Sequence, residues 1–320
     1  MLRWWAGAAL AASCLAFLPC AFGQAWPAKP IRNILTLGGT DLLARSVATK
    51  LSDALGQPVV VDLVMGASGS IGAAAVARAA PDGYTFMLTS SAQIVTRPFL
   101  SRNTPYDSVK SFTPIAKVAE AVAVVVVNPK FPAATMKELV DYAKRYPGRI
   151  SYGTSGVGTT HHLSAEVVKQ LTGIEWTHVP YKAASQAAAD LITGEVPVMF
   201  GAYTNFVPFV TAGKVRLLAI NNDHRFRPLP DVPTVAEQLP GYERPQGWVA
   251  YFGPAGMPRA IVTRLYDEIE KALAPADVRA KLEATGMMVG VSPPADLAEA
   301  VKRTVAITGK MVKAAGIEPE

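Results

Sequence analysis

Short apolar runs that end in glycine- and hydroxyl-rich turns, then open into helical spacing, recur along this chain. That alternation narrows the fold more than any other feature. Ile31 to Leu37 reads as a strand, Gly38-Gly39-Thr40 as a turn, and Asp41 as the N-cap of a helix. The helix carries Leu42, Leu43, Val47 and Leu51 inward and ends near Gly56. Val59 to Leu63 repeats the pattern, followed by the turn Gly66 to Gly72 and an alanine-rich helix up to Ala80. Pro81-Asp82-Gly83 marks a turn, and Tyr84 to Thr89 a buried strand ending in Ser90-Ser91. Strand, small-residue turn and helix in this order predict βαβ units with parallel strands. Ligands of such sheets bind beyond the carboxyl ends of the strands, where these turns fall.

The stretch Arg149 to Gly173 concentrates the pattern. A short strand, Ile150 to Tyr152, leads into the loop Gly153 to Thr160 and then a helix. Leu163, Val167, Val168 and Leu171 share one face of that helix, a hydroxyl residue before them can cap it, and Gly173 can end it. A helix N-terminus behind a glycine-rich turn aims backbone N–H groups and partial positive charge at one point, which suits an anion. The loop offers Thr154, Ser155, Thr159 and Thr160 as neutral donors and holds no Lys or Arg. An ordinary βα turn of common turn residues remains the plain alternative.

At 320 residues the chain exceeds the usual single core, so two domains or one large one are expected. The segment after Ser91 holds a Val-rich strand, Val122 to Val127, as expected of a strand buried on both faces. Helix Thr135 to Tyr146, strand Glu175 to Val179, helix Ser185 to Thr193, strand Glu195 to Phe200, helix Thr204 to Ala212 and strand Val215 to Ile220 follow. Beyond the Pro-rich Pro228 to Tyr242 come strand Trp248 to Phe252 and helices Arg259 to Leu273, Pro275 to Thr285 and Ala295 to Ala314. No low-complexity linker divides the chain, so two domains are most simply joined by strands crossing between them. Val122 to Val127 and Val215 to Ile220 are the hinge candidates. The division expected is residues 24–124 with 222–320 in one lobe and 125–221 in the other, closing on a ligand by hinge motion.

Arg3, the apolar run Trp4 to Leu18 and the small residues of Ala21-Phe22-Gly23 read as a secretory signal over residues 1–23, cleaved before Gln24. Both cysteines, Cys14 and Cys20, lie inside it. The exported chain therefore has no disulfide, no Cys nucleophile and no thiolate metal site. Net charge is +6, or +5 once Arg3 is removed, and it is scattered without a basic block. Nucleic acid is not implied.

Taken together, several runs resemble a known family. They are WPAKPIR (Trp26 to Arg32), GGTDLLAR (Gly38 to Arg45), LGQPVVVD (Leu55 to Asp62) and GASGSIGAAAVARAAPDGYT (Gly66 to Thr85). TPYDSVKSFTPI (Thr104 to Ile115), GTSGVGTTHHLSAE (Gly153 to Glu166), HVPYK (His178 to Lys182), DVPTVAE (Asp231 to Glu237) and WVAYFGPAGMP (Trp248 to Pro258) complete the set. In this order, from Trp26 to about Gly316, the chain resembles the periplasmic solute receptors of tripartite tricarboxylate transporters, the Bug proteins. The resemblance implies an α/β type II periplasmic binding fold, two lobes with a ligand cleft between them. It also implies a small carboxylate as solute: a dicarboxylate, tricarboxylate, acidic amino acid or aromatic acid. Carried over by motif, the first lobe offers Gly38, Gly39 and Asp41, then Ser68 and Gly69, then Ser90 and Ser91. The second offers Thr154, Ser155, Gly158, Thr159, Thr160 and His162, with Tyr203 after the 196–200 strand. The chain departs from the family in a shortened first loop without its prolines, in Asp62-Leu63-Val64-Met65 for Glu-Asn-Arg-Pro, in Gly201 for an acidic residue and in Ala183 for Gly.

Other chemistry fits less well. His161 and His162 are adjacent and so point roughly 100° apart on a helix, which does not make a zinc pair. His162 reads as a structural or ligand-orienting residue at the helix start. Glycines at 66, 69 and 72 miss the dinucleotide fingerprint, and no cofactor is implied. Asp41 reads as a cap or a ligand contact, Lys182 and Arg45 as anion ligands or, as is usual for long basic side chains, residues of solvated faces, and Trp248 as core or lobe-interface packing rather than a stacking platform. No nucleophile with a base and an orienting partner stands out, which speaks against an enzyme, with a hydrolase around His162 as the residual case. The expectation is a monomeric periplasmic receptor that delivers an organic anion to a membrane permease. A sensor accessory that presents the same closed form to a receptor kinase is the alternative.

Overall fold

The computed structural model describes residues 26–181, 184–314 and 316–319. The signal segment, Lys182 and Ala183 lie outside the described residues. In chain order the elements are β1 (Ile31–Leu35), α1 (Asp41–Leu55), β2 (Val59–Leu63), α2 (Ser70–Ala77), β3 (Thr85–Ser90), α3 (Arg97–Leu100) and β4 (Phe112–Ala121). Then come β5 (Ala123–Val127), α4 (Met136–Arg145), β6 (Ile150–Thr154), α5 (Thr160–Thr172), β7 (Trp176–Pro180), α6 (Ala184–Thr193), β8 (Val198–Ala202), α7 (Val207–Thr211) and β9 (Arg216–Ile220). The chain ends with α8 (Val235–Gln238), β10 (Trp248–Pro254), α9 (Arg259–Leu273), α10 (Ala276–Glu283), β11 (Met287–Ser292) and α11 (Pro294–Ala314).

Two sheets result. One runs β11-β4-β10-β3-β1-β2 and the other β7-β6-β8-β5-β9. The expected parallel βαβ pairing holds for β1 with β2 and β3, and for β6 with β7 and β8. The Val-rich β5 differs, running antiparallel to both β8 and β9. β10 is likewise antiparallel to its neighbours β3 and β4. Strands β4 and β11 have no counterpart in the sequence reading. β4 carries Pro114, Lys117 and Glu120 among its apolar residues and shows no clean alternation.

Each sheet is covered on both faces, and the two-residue period of its strands divides the core accordingly. Val125 and Val127 of β5 enter one apolar cluster, Val124 and Val126 the other. In β10, Val249 and Tyr251 face the helices α1 and α9, while Trp248, Ala250 and Phe252 face the side covered by α2 and α11. Trp248 is fully buried and donates its indole N–H to Thr304 Oγ1 of α11 at 3.0 Å. It is a core residue, as expected.

The chain changes sheets at one residue. β4 ends at Ala121 and β5 begins at Ala123, with buried Val122 between them. The two strands named as hinge candidates, β5 and β9, both lie wholly in the second sheet, so the link is Val122 and not a crossing strand. Val122 donates its N–H to Gly286 O at 2.9 Å, just before β11, and accepts from Tyr203 N–H at 2.8 Å, just after β8. The return path starts at Asn221 and Asn222. Asn222 Oδ1 accepts from Ala123 N–H at 2.9 Å, and its amide donates to Ala121 O at 3.1 Å. Buried Arg244, just before β10, pairs with Glu120 of β4 and donates to Asp223 Oδ1 at 2.9 Å. A guanidinium thus ties both crossings together.

Replacing the indole of Trp248 by alanine empties a site shared by β10 and α11. Chemical denaturation of Trp248→Ala is expected to show a loss of about 3–5 kcal/mol in unfolding free energy.

Candidate functional site

The loop between β6 and α5 is built by its own side chains. Thr159 Oγ1 accepts from His162 N–H at 3.2 Å and donates to Gly156 O at 2.8 Å, capping α5 as its sequence suggested. Gly173 closes the other end in the left-handed conformation, at φ 68°. Gly158 also lies at positive φ, and a Cβ there would fall 2.9 Å from Leu100 Cδ1 of α3. The absent side chain lets the loop seat against the first-sheet part of the molecule. Ser155 Oγ lies 2.8 Å from His161 Nδ1.

Behind the loop stands a stack of aromatic rings. His162 lies face to face with His178 of β7 at 4.0 Å, and His178 stacks on Tyr152 of β6 at 5.0 Å. Gly158 N–H donates to His162 Nδ1 at 3.1 Å, which places the His162 proton on Nε2. Thr154 Oγ1 lies 2.7 Å from His178 Nε2. Tyr152 donates its hydroxyl to Glu166 Oε1 at 2.6 Å. Burial pushes His178 down to about 4, helped by the neighbouring His162, and burial lowers His162 as well. The loop is therefore backed by neutral imidazoles near pH 7. His161 is not behind the loop: it is half-buried and lines the cavity, and desolvation holds its imidazole below the ordinary value. His162 is buried and turned inward, a residue that holds the loop. Among the described residues no group of three or more His, Cys, Asp or Glu converges on a metal position.

Three loops of the first sheet meet at Gly69. A Cβ there would lie 2.9 Å from Thr36 O, after β1, and 2.4 Å from Gln93 Cγ, after β3. Only glycine, at φ 86°, fits that junction. Ser68 lies in the same turn. Gly38 and Gly39 lie on the β1–α1 loop, and a Cβ on Gly38 would sit 3.7 Å from Met65 Cε. Asp41 is not the N-cap. Thr40 occupies that position and turns its hydroxyl back to Leu37 O, while Asp41 is the first helical residue, with Arg45 at 4.0 Å. Ser90 hydrogen-bonds the Gln93 side chain, and Ser91 is buried at the start of the next helical turn. Tyr203 packs its ring at 5.9 Å from Phe226, beside the crossing. Gly201 has a steric reason to lack a side chain, because a Cβ there would fall 2.7 Å from Phe206 Cε2.

A cavity of about 490 Å³ opens where the β6–α5 loop faces the segment after β3. Ser155, Gly158, Thr159 and Thr160 line it, together with Gln93, Thr96, Arg97 and Leu100, and the tail residues Ile317 and Glu318. Gly38, Gly39, Asp41, Ser68, Gly69, Ser90, Ser91, Thr154, His162 and Tyr203 lie outside its lining. Sequence reading passed over Arg97, Gln93 and His178. Nothing in the spacing marks the first two. His178 reaches the loop only because β6 and β7 pair in the register that sets Tyr152 opposite His178.

Residues 43–317 match the model of the tripartite tricarboxylate transporter family receptor. The chain belongs to that family. BugT of Bordetella pertussis is 33% identical over 275 residues, covering 84% of each chain. Rpa4515 of R. palustris, solved with adipate, superposes with a TM-score of 0.74 at 34% identity, covering 92% of this chain and all of its own. MatC of Rhodopseudomonas palustris, solved with bound malate, gives 0.67 at 29% identity, covering 89% and 99%. The two-sheet arrangement of this receptor is thus that of its family, the type II periplasmic binding fold. Among its described residues no helix is long and apolar enough to cross a membrane.

The half-buried imidazole of His178 gives this receptor a pH signature. His178 has a folded pKa near 4, below the unfolded value of 6.5, so the folded state binds fewer protons between them. The stability from neutral His178 is complete above pH 6.5 and is lost as pH falls toward 4. Urea midpoints should drop over that range, and the drop should shrink in His178→Asn.

Proposed function

We propose that this receptor is exported by its N-terminal segment, captures a small organic carboxylate in the periplasm and hands it to a tripartite tricarboxylate-type membrane permease. Two lobes close on the solute about the Val122 crossing, the division at 124 expected from the sequence moving to Val122 because Ala123 and Val124 pair in the second sheet, and the chain acts as a monomer. The observation that carries this reading is the capped N-terminus of α5, whose loop residues Ser155, Gly158, Thr159 and Thr160 line a cavity shared with the segment after β3. Adipate in Rpa4515 and malate in MatC support a carboxylate as the solute class. A hydrogen bond to a charged group contributes about 1.5–3 kcal/mol. Three or four, less desolvation and closure costs, match a micromolar complex near −8 kcal/mol.

A thermal-shift screen of organic acids tests the reading. At least one acid should raise the melting temperature with increasing concentration, as mass action requires. Ser155→Ala, which removes one cavity hydroxyl, should weaken that acid about tenfold by calorimetry. A flat screen across mono-, di- and tricarboxylates would end the receptor proposal, and permease subunits co-purifying with the closed form would support delivery.

A further inference from the structure

We propose, resting on the receptor reading above, that Arg97 selects a second anionic group on the solute, so that the preferred cargo is a diacid with an apolar spacer. The cavity volume of about 490 Å³ lies in the range that holds a small organic ligand. One part of its wall is neutral and polar, from Ser155, Thr159 and Thr160. Another part comes from α3, where Arg97 faces the same space. Arg97 takes no part in any ion pair among the described residues. A half-buried guanidinium on a cavity wall without a carboxylate partner is a ready receptor for one, since its planar fork binds both oxygens of a carboxylate.

The rest of the lining decides what joins the two charges. Leu100, Val157 and Ile317 are apolar, and contact with them favours methylene over hydroxyl. A densely hydroxylated acid would leave its own polar groups without partners against these side chains. Among the described residues Glu318 is the one acidic residue in the lining, on an exposed tail whose Pro319 O accepts from Arg102 Nε at 3.2 Å. Its carboxylate opposes a bound dianion. The sign of its effect is therefore opposite to that of Arg97, which gives the proposal two independent handles.

Isothermal titration of the full chain with a matched series tests it: succinate through suberate against butyrate through octanoate. The wild type should prefer the best diacid over the monoacid of equal length by about tenfold or more. Arg97→Gln should remove most of that preference, Arg97→Lys should restore part of it by keeping charge without the fork, and Glu318→Gln should tighten the diacid. Equal losses for diacid and monoacid in Arg97→Gln, or no diacid preference in the wild type, would overturn the assignment. Binding of citrate or of monoacids alone would likewise overturn it while leaving the receptor intact. Silence toward every carboxylate would instead remove the receptor reading itself, and the assignment with it.

Discussion

The molecule depends on how two sheets are held across two chain crossings. Val122 is the shortest possible link, a single buried residue whose N–H and C=O reach toward opposite sheets. Beside it, Arg244 joins Glu120 on the outgoing strand to Asp223 on the returning segment. A charge so buried is costly unless it is paired on several sides, and here its partners come from both crossings. Asn222 adds direct bonds to Ala121 and Ala123. A joint of this kind holds the two sheets together through backbone and side-chain bonds from both crossings.

The loop that faces the cavity is rigid for a related reason. Its donors are held by Thr159 and Gly156, its back rests on His162 and His178, and its tip seats against Leu100. Neutral rings can stack at 4.0 Å without mutual repulsion, so burial of the imidazoles and order of the loop support each other. The loop residues that line the cavity are thereby held in place by bonds of their own. Preorganisation of this sort lowers the cost of binding without adding contacts.

Much of this was legible in the residues. The strand, turn and helix alternation predicts the parallel halves, and a hydroxyl residue ahead of the apolar face together with Gly173 predicts the ends of α5, because capping is local chemistry; the structure makes the cap Thr159. What stayed hidden was non-local. β4 has no pattern of its own, and its place between β10 and β11 is set by strands more than a hundred residues away. Its pairing cannot be read from a window of neighbours. Asp41 reads as the cap of α1 by its residue type, yet the helix begins one residue sooner, with Thr40 at the cap position and Asp41 inside the first turn. Arg97 carries no motif, and His178 opens the run HVPYK without being marked as a site residue; they gain their roles only when the loop meets α3 and when β7 pairs with β6.

The strand order of the first sheet has a consequence for synthesis. β10 lies between β3 and β4, yet it is made only after the entire second sheet. Until it arrives, β3 and β4 each expose an unsatisfied edge to other chains. The segment from Ala123 to Ile220 can pair within itself meanwhile. A nascent chain of this protein thus keeps open strand edges for as long as its last quarter, from β10 onward, is missing.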